Sequence, residues 1–213
     1  MISAMRIEFL SPSADRSGRY TTRFSDGSSL RLYRQTVEDF GLYGGMELTE
    51  EQMAALRTAA GKMSAKMRAV RIVAATIVSC KDLQQRLIRK GEDPQQAKEA
   101  VSWMEDLHLL DDRKTAEQVV NSCIHKGYGR SRAKQVLFEK RIPRELWEEA
   151  LEDYPDQLDK IEDFLRSRLD SESDERDVRR AVDALLRRGH NYSRIRQVLN
   201  DLDFDSDEML EES

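Results

Sequence analysis

The feature that most constrains this 213-residue chain is a segment that occurs twice. The stretch GYGRSRAKQVLFEKRI begins at Gly127, and the similar stretch GHNYSRIRQVLNDLDF begins at Gly189, at a constant offset of 62 residues. A fainter copy lies upstream, where an offset of 50 residues places Leu87 on Leu137. A unit of two or three short amphipathic helices cannot bury its apolar face alone, so the repetition predicts stacked helical units.

The repeated apolar positions indicate what the copies share. Val136 and Leu137 recur as Val198 and Leu199. Residues at these positions are expected to face a core, so the repeat predicts a scaffold first and a site second.

The N-terminal part of the chain has a different pattern. MRIEFL and SLRLYR alternate apolar and polar residues, as half-buried strands do, and Asp26-Gly27 between them favours a tight turn. We expect two or three antiparallel strands, roughly at 5–10, 18–25 and 28–34. Thr49 and Gln52 then form a plausible capping box for a helix near 50–60, followed by a separate apolar-rich helix, AKMRAVRIVAATIV.

Capping signals divide the rest of the chain into short helices. Gly91 is placed to end one helix, and Asp93 followed by Pro94 is placed to begin the next. The pair Asp111-Asp112 resembles a metal-binding carboxylate pair, but its position favours helix capping. Ser131 is the predicted cap of the helix in the first copy of the repeat.

Charge is segregated along the chain. The net charge of −5 combines +7 over residues 66–144, −10 over 145–175, +5 over 176–200 and −7 over 201–213. Blocks of this kind predict faces of opposite potential, which steer binding partners, although a charged face is also compatible with solubility alone.

The sequence carries no recognisable catalytic pattern. It has no phosphate-binding glycine loop and no nucleophile elbow, and His108, His125 and His190 have no cysteine or carboxylate at metal-ligand spacing. Cys80 and Cys123 are too few for a disulfide framework, and Cys123 is expected to be a small buried residue. We therefore expect no enzyme activity, no cofactor and no metal. Because no run is long enough to cross a membrane, we expect a soluble, cytoplasmic protein without membrane partners.

The basic residues around the repeated helices are the candidate binding residues. On the outward flank of the first copy, Phe138 follows Lys134 by one turn, and is either an exposed contact or ordinary packing. Such a stripe suits phosphates or an acidic protein face, and it also suits a solvated surface. The candidates are Arg86, Arg89, Lys90, Lys126, Arg130, Arg132, Lys134, Lys140, Arg141, Arg187, Arg188, Arg194 and Arg196.

Several of these segments resemble the RecX regulatory proteins. KDLQQRLIRKG with the later SWMEDLHLLDDRKTAEQVV, then KGYGRSRAKQVLFEKRIP, then LLRRGHNYSRIRQVL, follow that family's pattern in its order, over about residues 5–203. The chain departs from the pattern at Thr115, where an aromatic residue is usual, at Ala133, where Ile is usual, and at Arg141, where Gly is usual.

The resemblance implies a mainly α fold of three tandem three-helix repeats in a curved, elongated solenoid, preceded by a small antiparallel β segment. The expected segments are 1–60, 61–110, 111–153 and 154–213. The resemblance also implies a non-enzymatic regulator that binds RecA on single-stranded DNA and limits filament extension, ATP hydrolysis and strand exchange. We expect a monomer with weak direct DNA binding.

Two other classes stay open from the residues alone. GRSRAKQVLFEKRIP is compatible with the recognition helix of a helix-turn-helix DNA-binding regulator, although the acidic net charge and the expected core role of Leu137 argue against it. A helical-repeat adaptor without a nucleic-acid link is the other alternative, and salt-dependent DNA binding would separate the two classes.

Overall fold

The structure, a computed structural model, describes residues 4–13 and 18–204. In these ranges the chain is mainly helical with one small antiparallel sheet, as the sequence predicts. The strands are β1 (Met5–Pro12), β2 (Arg19–Phe24), β3 (Ser29–Tyr33) and β4 (Glu47–Leu48). The helices are α1 (Arg34–Asp39), α2 (Glu50–Ala75), α3 (Cys80–Arg89), α4 (Pro94–Asp106), α5 (Asp112–His125), α6 (Arg130–Glu139), α7 (Trp147–Ala150), α8 (Leu158–Arg166), α9 (Glu175–Arg187) and α10 (Tyr192–Asp201).

The chain divides into two compact units. The first unit contains the residues up to Thr76 together with Asp82–Leu110, and the second contains Ile77–Lys81 together with the residues from Asp111 onward. The division into four segments stays a prediction, and α2 runs through its first boundary.

The first unit is built around the sheet, whose strand order is β3-β2-β1-β4. The three predicted strands are present, and Gly27 forms the expected turn between β2 and β3 with a φ of +82°. The short β4 pairs with β1 and was not predicted, because two residues are too few to show an alternating pattern. Ile7, Phe24 and Leu32 on the inner side of the sheet pack with Leu56 of α2 in one buried cluster.

The prediction of two helices between residues 50 and 75 was wrong, because α2 is one helix of 26 residues. It begins at the predicted capping box, in which Thr49 Oγ1 accepts from the Gln52 backbone N–H and the Gln52 side chain accepts from the Thr49 N–H. Gly61 lies inside the helix. A Cβ there would be 2.3 Å from the Gln96 side-chain oxygen, so the missing side chain leaves room for the end of the Gln96 side chain.

The second unit contains two buried clusters, one for each copy of the repeat. Helices α5 and α6 and the segment as far as Leu151 enclose the first cluster, and α8, α9 and α10 enclose the second. The predicted core residues Leu137, Val198 and Leu199 are buried, and Val136 packs half-buried against the first cluster. The repeated apolar positions are therefore core, as the sequence predicts.

In the described ranges, no helix combines the length and the apolar character needed to cross a membrane.

Candidate functional site

The two copies of the repeated helix begin side by side. The Gly129 N–H donates to the Arg188 carbonyl at 2.9 Å, and the Ser131 N–H donates to the Gly189 carbonyl at 3.2 Å. Helix α6 therefore begins against the turn that precedes α10. The prediction that Ser131 caps α6 was wrong: the cap residue is Gly129, which has no side chain, and backbone carbonyls from residues 188 and 189 take over that role.

This contact requires two glycines. A Cβ on Gly129 would be 2.0 Å from the Gly189 carbonyl oxygen, and a Cβ on Gly189 would be 2.2 Å from the Arg132 backbone nitrogen. Real Cβ atoms essentially never come within 3.0 Å of another heavy atom in this way. We call this backbone contact, made by residues 127–132 and 188–190, the repeat junction.

Buried polar side chains hold the repeat junction together. His190 is 6% exposed, and its Nε2 lies 3.0 Å from the Gly127 carbonyl oxygen, so Nε2 carries the proton of the neutral ring. The Tyr154 hydroxyl donates to the Tyr128 carbonyl at 2.6 Å, and Gln157 Nε2 donates to the same oxygen at 2.8 Å. Burial lowers the pKa of His190 and raises the pKa of Tyr154 to about 12. Both side chains therefore stay neutral at pH 7.

Beside the repeat junction lies a polar cleft of about 230 Å³. Its basic lining comes from Arg130, Lys134 and Arg194, and Ser131 and Asn191 add polar groups. Arg194 pairs with Asp156 at 2.7 Å. Among the described residues, Arg130 and Lys134 take part in no ion pair, so they give this cleft its positive charge.

A groove of about 660 Å³ continues from the cleft, and Arg130 and Lys134 line both cavities. The half-buried Trp147 supplies the apolar surface of the groove, because Leu151 is fully buried, and Glu148, Glu149 and Glu152 line it as well. The Trp147 indole N–H donates to the Ile142 carbonyl at 3.1 Å, which fixes the ring in place. We call the cleft and the groove together the α6 channel.

On the other side of Trp147 lies a second groove of about 690 Å³, which Phe138, Arg141 and Pro143 line. Phe138 is 63% exposed, so it is not an ordinary packed residue, and its role as a contact stays a prediction. Arg141 has a φ of +56°, in the region where other helices of this chain end in Gly91 or Gly189. Arg141 therefore has a backbone conformation that favours glycine, and it places a guanidinium at the groove.

Several other predicted cations also have partners among the described residues. Arg86 pairs with Asp82 at 3.0 Å, and that carboxylate is only 5% exposed. Arg132 pairs with Glu139 at 3.1 Å. Lys140 Nζ donates to the Ile77 carbonyl at 3.3 Å, and Arg188 stacks 5.3 Å from the centre of the Phe164 ring.

The remaining predicted cations are exposed and line none of these three cavities. These residues are Arg89, Lys90, Lys126, Arg187 and Arg196. The structure thus gathers only Arg130, Lys134 and Arg194 into one cleft, and the binding role of every candidate stays a prediction.

Sequence reasoning missed Trp147, Tyr154 and His190. At the 62-residue offset, His190 aligns with Tyr128, and each of the two residues directly follows the repeated glycine. This shared position was the only sequence signal for His190. Asp111 caps α5 as predicted, and the Asp112 carboxylate accepts a hydrogen bond from the Cys80 backbone N–H. Each of the two carboxylates therefore has a structural role. Across residues 4–13 and 18–204, no three His, Cys, Asp or Glu side chains are placed to hold a metal ion.

Comparison with known proteins identifies the region around α6. Residues 111–151 match the family model described as "RecX, second three-helix domain". This range includes Arg130, Lys134 and Trp147 of the α6 channel, and Phe138 of the second groove.

Curated relatives cover more of the chain. The regulatory protein RecX of Clostridioides difficile is 25% identical over 183 residues, which are 81% of this chain and 84% of that protein. RecX of Vibrio parahaemolyticus is 25% identical over 141 residues, 65% of this chain and 91% of its own length, and RecX of Streptococcus gordonii is 22% identical over 91% of this chain and 76% of its own.

Solved structures show the same fold. A crystal structure of regulatory protein RecX matches with a TM-score of 0.62 at 20% identity, over 92% of this chain and 99% of that one. The crystal structure of RecX from Lactobacillus salivarius matches with a TM-score of 0.58 at 22% identity, over 69% of this chain and 99% of that one. The matched domain, the curated relatives and the shared fold together support a RecX family protein.

Proposed function

We propose that this RecX-family protein is a non-enzymatic regulator that binds the RecA recombinase on single-stranded DNA. In this proposal it acts as a monomer in the cytoplasm and limits filament extension, and so lowers the ATP hydrolysis and strand exchange that depend on the filament. The observation that carries the proposal is the α6 channel, where Arg130 and Lys134 form no ion pair with any described residue and line the same groove as Trp147.

The chemistry of the α6 channel suits a filament of protein and nucleic acid. Aromatic and arginine side chains are the residue types that contribute most to binding at protein interfaces. Trp147 and Arg144 supply them here, and the Arg144 guanidinium lies 5.8 Å from the centre of the Trp147 ring. The exposed Phe138 adds an aromatic side chain in the neighbouring groove. Arg130 and Lys134 add charge for acidic side chains or phosphates.

The test is a titration of the RecA ATPase on single-stranded DNA with sub-stoichiometric amounts of the protein. The native chain is expected to lower the rate clearly. Charge reversal with Arg130→Glu and Lys134→Glu is expected to weaken inhibition at least tenfold, because like charges then oppose the partner and slow its association. Circular dichroism checks that the variant is folded.

A matched control changes the net charge equally elsewhere. Lys98→Glu with Arg176→Glu alters two exposed cations that line none of the three cavities. This control is expected to inhibit as the native chain does. Inhibition lost equally in both double variants would assign the effect to net charge, and no inhibition by the native chain would favour the adaptor alternative.

The helix-turn-helix alternative has less support. The first backbone N–H groups of α6 donate to residues 188 and 189, and Ala133 and Leu137 face the core. A recognition helix needs its first turn free to contact base edges in the major groove. The weak DNA binding that we expect is therefore independent of base sequence and falls steeply with salt.

A further inference from the structure

The outer side of the sheet in the first unit carries cationic and aromatic side chains. Phe24 of β2 and Leu32 of β3 are fully buried among the residues that pack with α2. Because side chains alternate between the two sides of a strand, their neighbours in each strand point outward. We call the outward side chains of β2 and β3, together with Phe9 of β1, the sheet face, and its members are Phe9, Arg19, Thr21, Arg23, Ser29, Arg31 and Tyr33.

A β-bulge turns Phe9 to this side of the sheet. Strand β1 advances by two residues from Ile7 to Phe9 while β2 advances by one. Phe9 therefore lies opposite Arg23 instead of the buried Thr22, and without the bulge the alternation would place its ring on the inner side. Bulges often re-aim a side chain next to a functional site. Here the bulge leaves a large aromatic ring 43% exposed.

Guanidinium groups lie beside both aromatic rings of the sheet face. That of Arg23 is 5.9 Å from the centre of the Phe9 ring, and that of Arg19 is 5.7 Å from the centre of the Tyr33 ring. Arg71 of α2 reaches the second ring as well, because its Nη2 donates to the Tyr33 hydroxyl at 3.4 Å. Each aromatic ring is thus flanked by positive charge.

The cations of the sheet face have no acidic partners. Strands β2 and β3 contain Arg19, Arg23 and Arg31 and no carboxylate. Within the described part of the chain, none of these three arginines forms an ion pair. A group of unpaired cations creates a positive potential that attracts an anionic partner.

Three carboxylates belong to the sheet and its turn, and they do not cancel this charge. Glu47 of β4 lies opposite Arg6 of β1. Asp26 accepts a hydrogen bond from the backbone of its own turn at 2.8 Å, and Glu8 is the extra residue of the bulge. With Arg6 and Arg71 included, five cations stand against three carboxylates, so this region keeps two net positive charges.

Single-stranded DNA is the partner whose chemistry fits this surface. Its unpaired bases stack on aromatic rings and on guanidinium planes, and its phosphates bind cations, and both contacts tolerate any base sequence. A double helix keeps its bases stacked on one another, so it offers the Phe9 ring no base face. A free phosphate would use the arginines and leave the ring unused.

We propose that the sheet face binds single-stranded DNA without base specificity, with a base stacked on Phe9 and the adjoining phosphates on Arg23 and Arg31. This surface belongs to the first unit, whereas the α6 channel belongs to the second. DNA and the recombinase would thus be bound by different parts of the chain. The choice of DNA over RNA rests on the proposed function, whereas the binding of a single strand does not.

The experiment measures fluorescence anisotropy of a fluorescein-labelled thymidine oligonucleotide of about 15 nucleotides, a length within the range of known single-strand sites, titrated with the full-length chain. Three phosphate contacts predict an affinity that falls about 20-fold between about 50 and 200 mM salt, from a slope of about −0.7 per contact. Arg23→Glu with Arg31→Glu is expected to weaken binding at least tenfold and to flatten the salt dependence. Thermal unfolding checks that each variant is folded.

Substitutions of Phe9 separate stacking from simple apolar contact. Phe9→Ala and Phe9→Leu are both expected to weaken binding at least about fivefold with the salt slope unchanged, because neither side chain can stack on a base. Phe9→Tyr is expected to bind as the native chain does. Full binding by Phe9→Leu would contradict the stacking of a base on this residue.

Lys98→Glu with Arg176→Glu is the control for net charge and is expected to leave the affinity unchanged. No binding by the native chain overturns the proposal, and so does an equal loss in this control. Binding that is lost in Arg130→Glu with Lys134→Glu but kept in Arg23→Glu with Arg31→Glu would place the DNA in the α6 channel instead. Equal affinity for a duplex of the same length would refute the single-strand preference, and tighter binding of a uridine RNA would refute the choice of DNA. Because this assay contains no RecA, its failure is distinct from a failure of the ATPase titration.

Discussion

Replacing Gly129 by alanine tests whether the two copies of the repeat are held together by direct backbone contact. The new Cβ would lie 2.0 Å from the Gly189 carbonyl oxygen, about 1.4 Å inside ordinary contact. The new Cβ would clash with backbone atoms, so no side-chain rotation relieves the clash. The two segments that meet at the repeat junction must therefore move apart.

The size of the effect follows from what that separation breaks. The hydrogen bonds of 2.9 and 3.2 Å from Gly129 and Ser131 would both lengthen beyond bonding distance. Leaving a buried donor or acceptor unsatisfied costs about 1–3 kcal/mol, and overpacking adds about 1–3 kcal/mol. We expect Gly129→Ala to lower the free energy of unfolding of the second unit by about 3–5 kcal/mol, a large share of the stability of an ordinary domain.

The assay is urea unfolding followed by tryptophan fluorescence. The chain has two tryptophans, so Trp103→Phe leaves Trp147, in the second unit, as the reporter. Gly44→Ala is the matched control, because a Cβ there meets nothing within 4 Å, and it is expected to change the unfolding free energy by less than about 0.5 kcal/mol. If Gly129→Ala unfolds at the same urea concentration as the control, the backbone contact is not what joins the repeats.

Three further outcomes are expected. Gly61→Ala should leave the first unit unchanged or stabilise it by up to about 1 kcal/mol in thermal unfolding, because alanine favours the helix and only the flexible end of Gln96 must move; a large loss would contradict this. His108→Gly should stabilise the same unit by about 0.5–1 kcal/mol, since His108 is exposed and has a φ of +55°, where glycine is unstrained; an unchanged midpoint would show that no strain is stored there. Burial lowers the pKa of His190 in the folded chain below its ordinary value of 6.5, so the unfolded chain binds a proton at this histidine more readily. The stability that the folded chain has above pH 6.5 is therefore lost as the pH falls from 6.5 through the lowered pKa of the folded chain. Unfolding measured between pH 7.5 and 5 should therefore show a smaller loss in His190→Gln than in the native chain, with His108→Gln as the exposed control.

Signals that act over a few residues were readable from the sequence. The capping box at Thr49, the cap at Asp93 and the helix end at Gly91 each depend on neighbours within one turn, and the structure confirms all three. The repeated apolar positions were also readable, because a periodic pattern predicts the buried face of a helix wherever the helix packs.

Features that depend on distant neighbours were not readable. The sequence was read as two helices between residues 50 and 75, but the chain is one helix that runs through Gly61, beside which the Gln96 side chain lies. Among the candidate cations, Arg86 and Lys140 looked like Arg130 in sequence, yet a buried carboxylate and a backbone carbonyl engage them. Only the tertiary structure separates cations that brace the fold from cations that line a cavity.

The way in which α6 begins has a consequence for the order in which the chain becomes structured during synthesis. Its cap residue, Gly129, supplies no side-chain acceptor, and two of the N–H groups at this end of α6 donate to carbonyls of residues 188 and 189. During synthesis the last residue of α6, Glu139, is added 49 residues before Arg188. Domains usually fold as units in the order of synthesis. Here the N–H groups of Gly129 and Ser131, in the first copy of the repeat, are expected to bind water until the second copy has been synthesised. The two copies are therefore expected to fold together rather than one after the other.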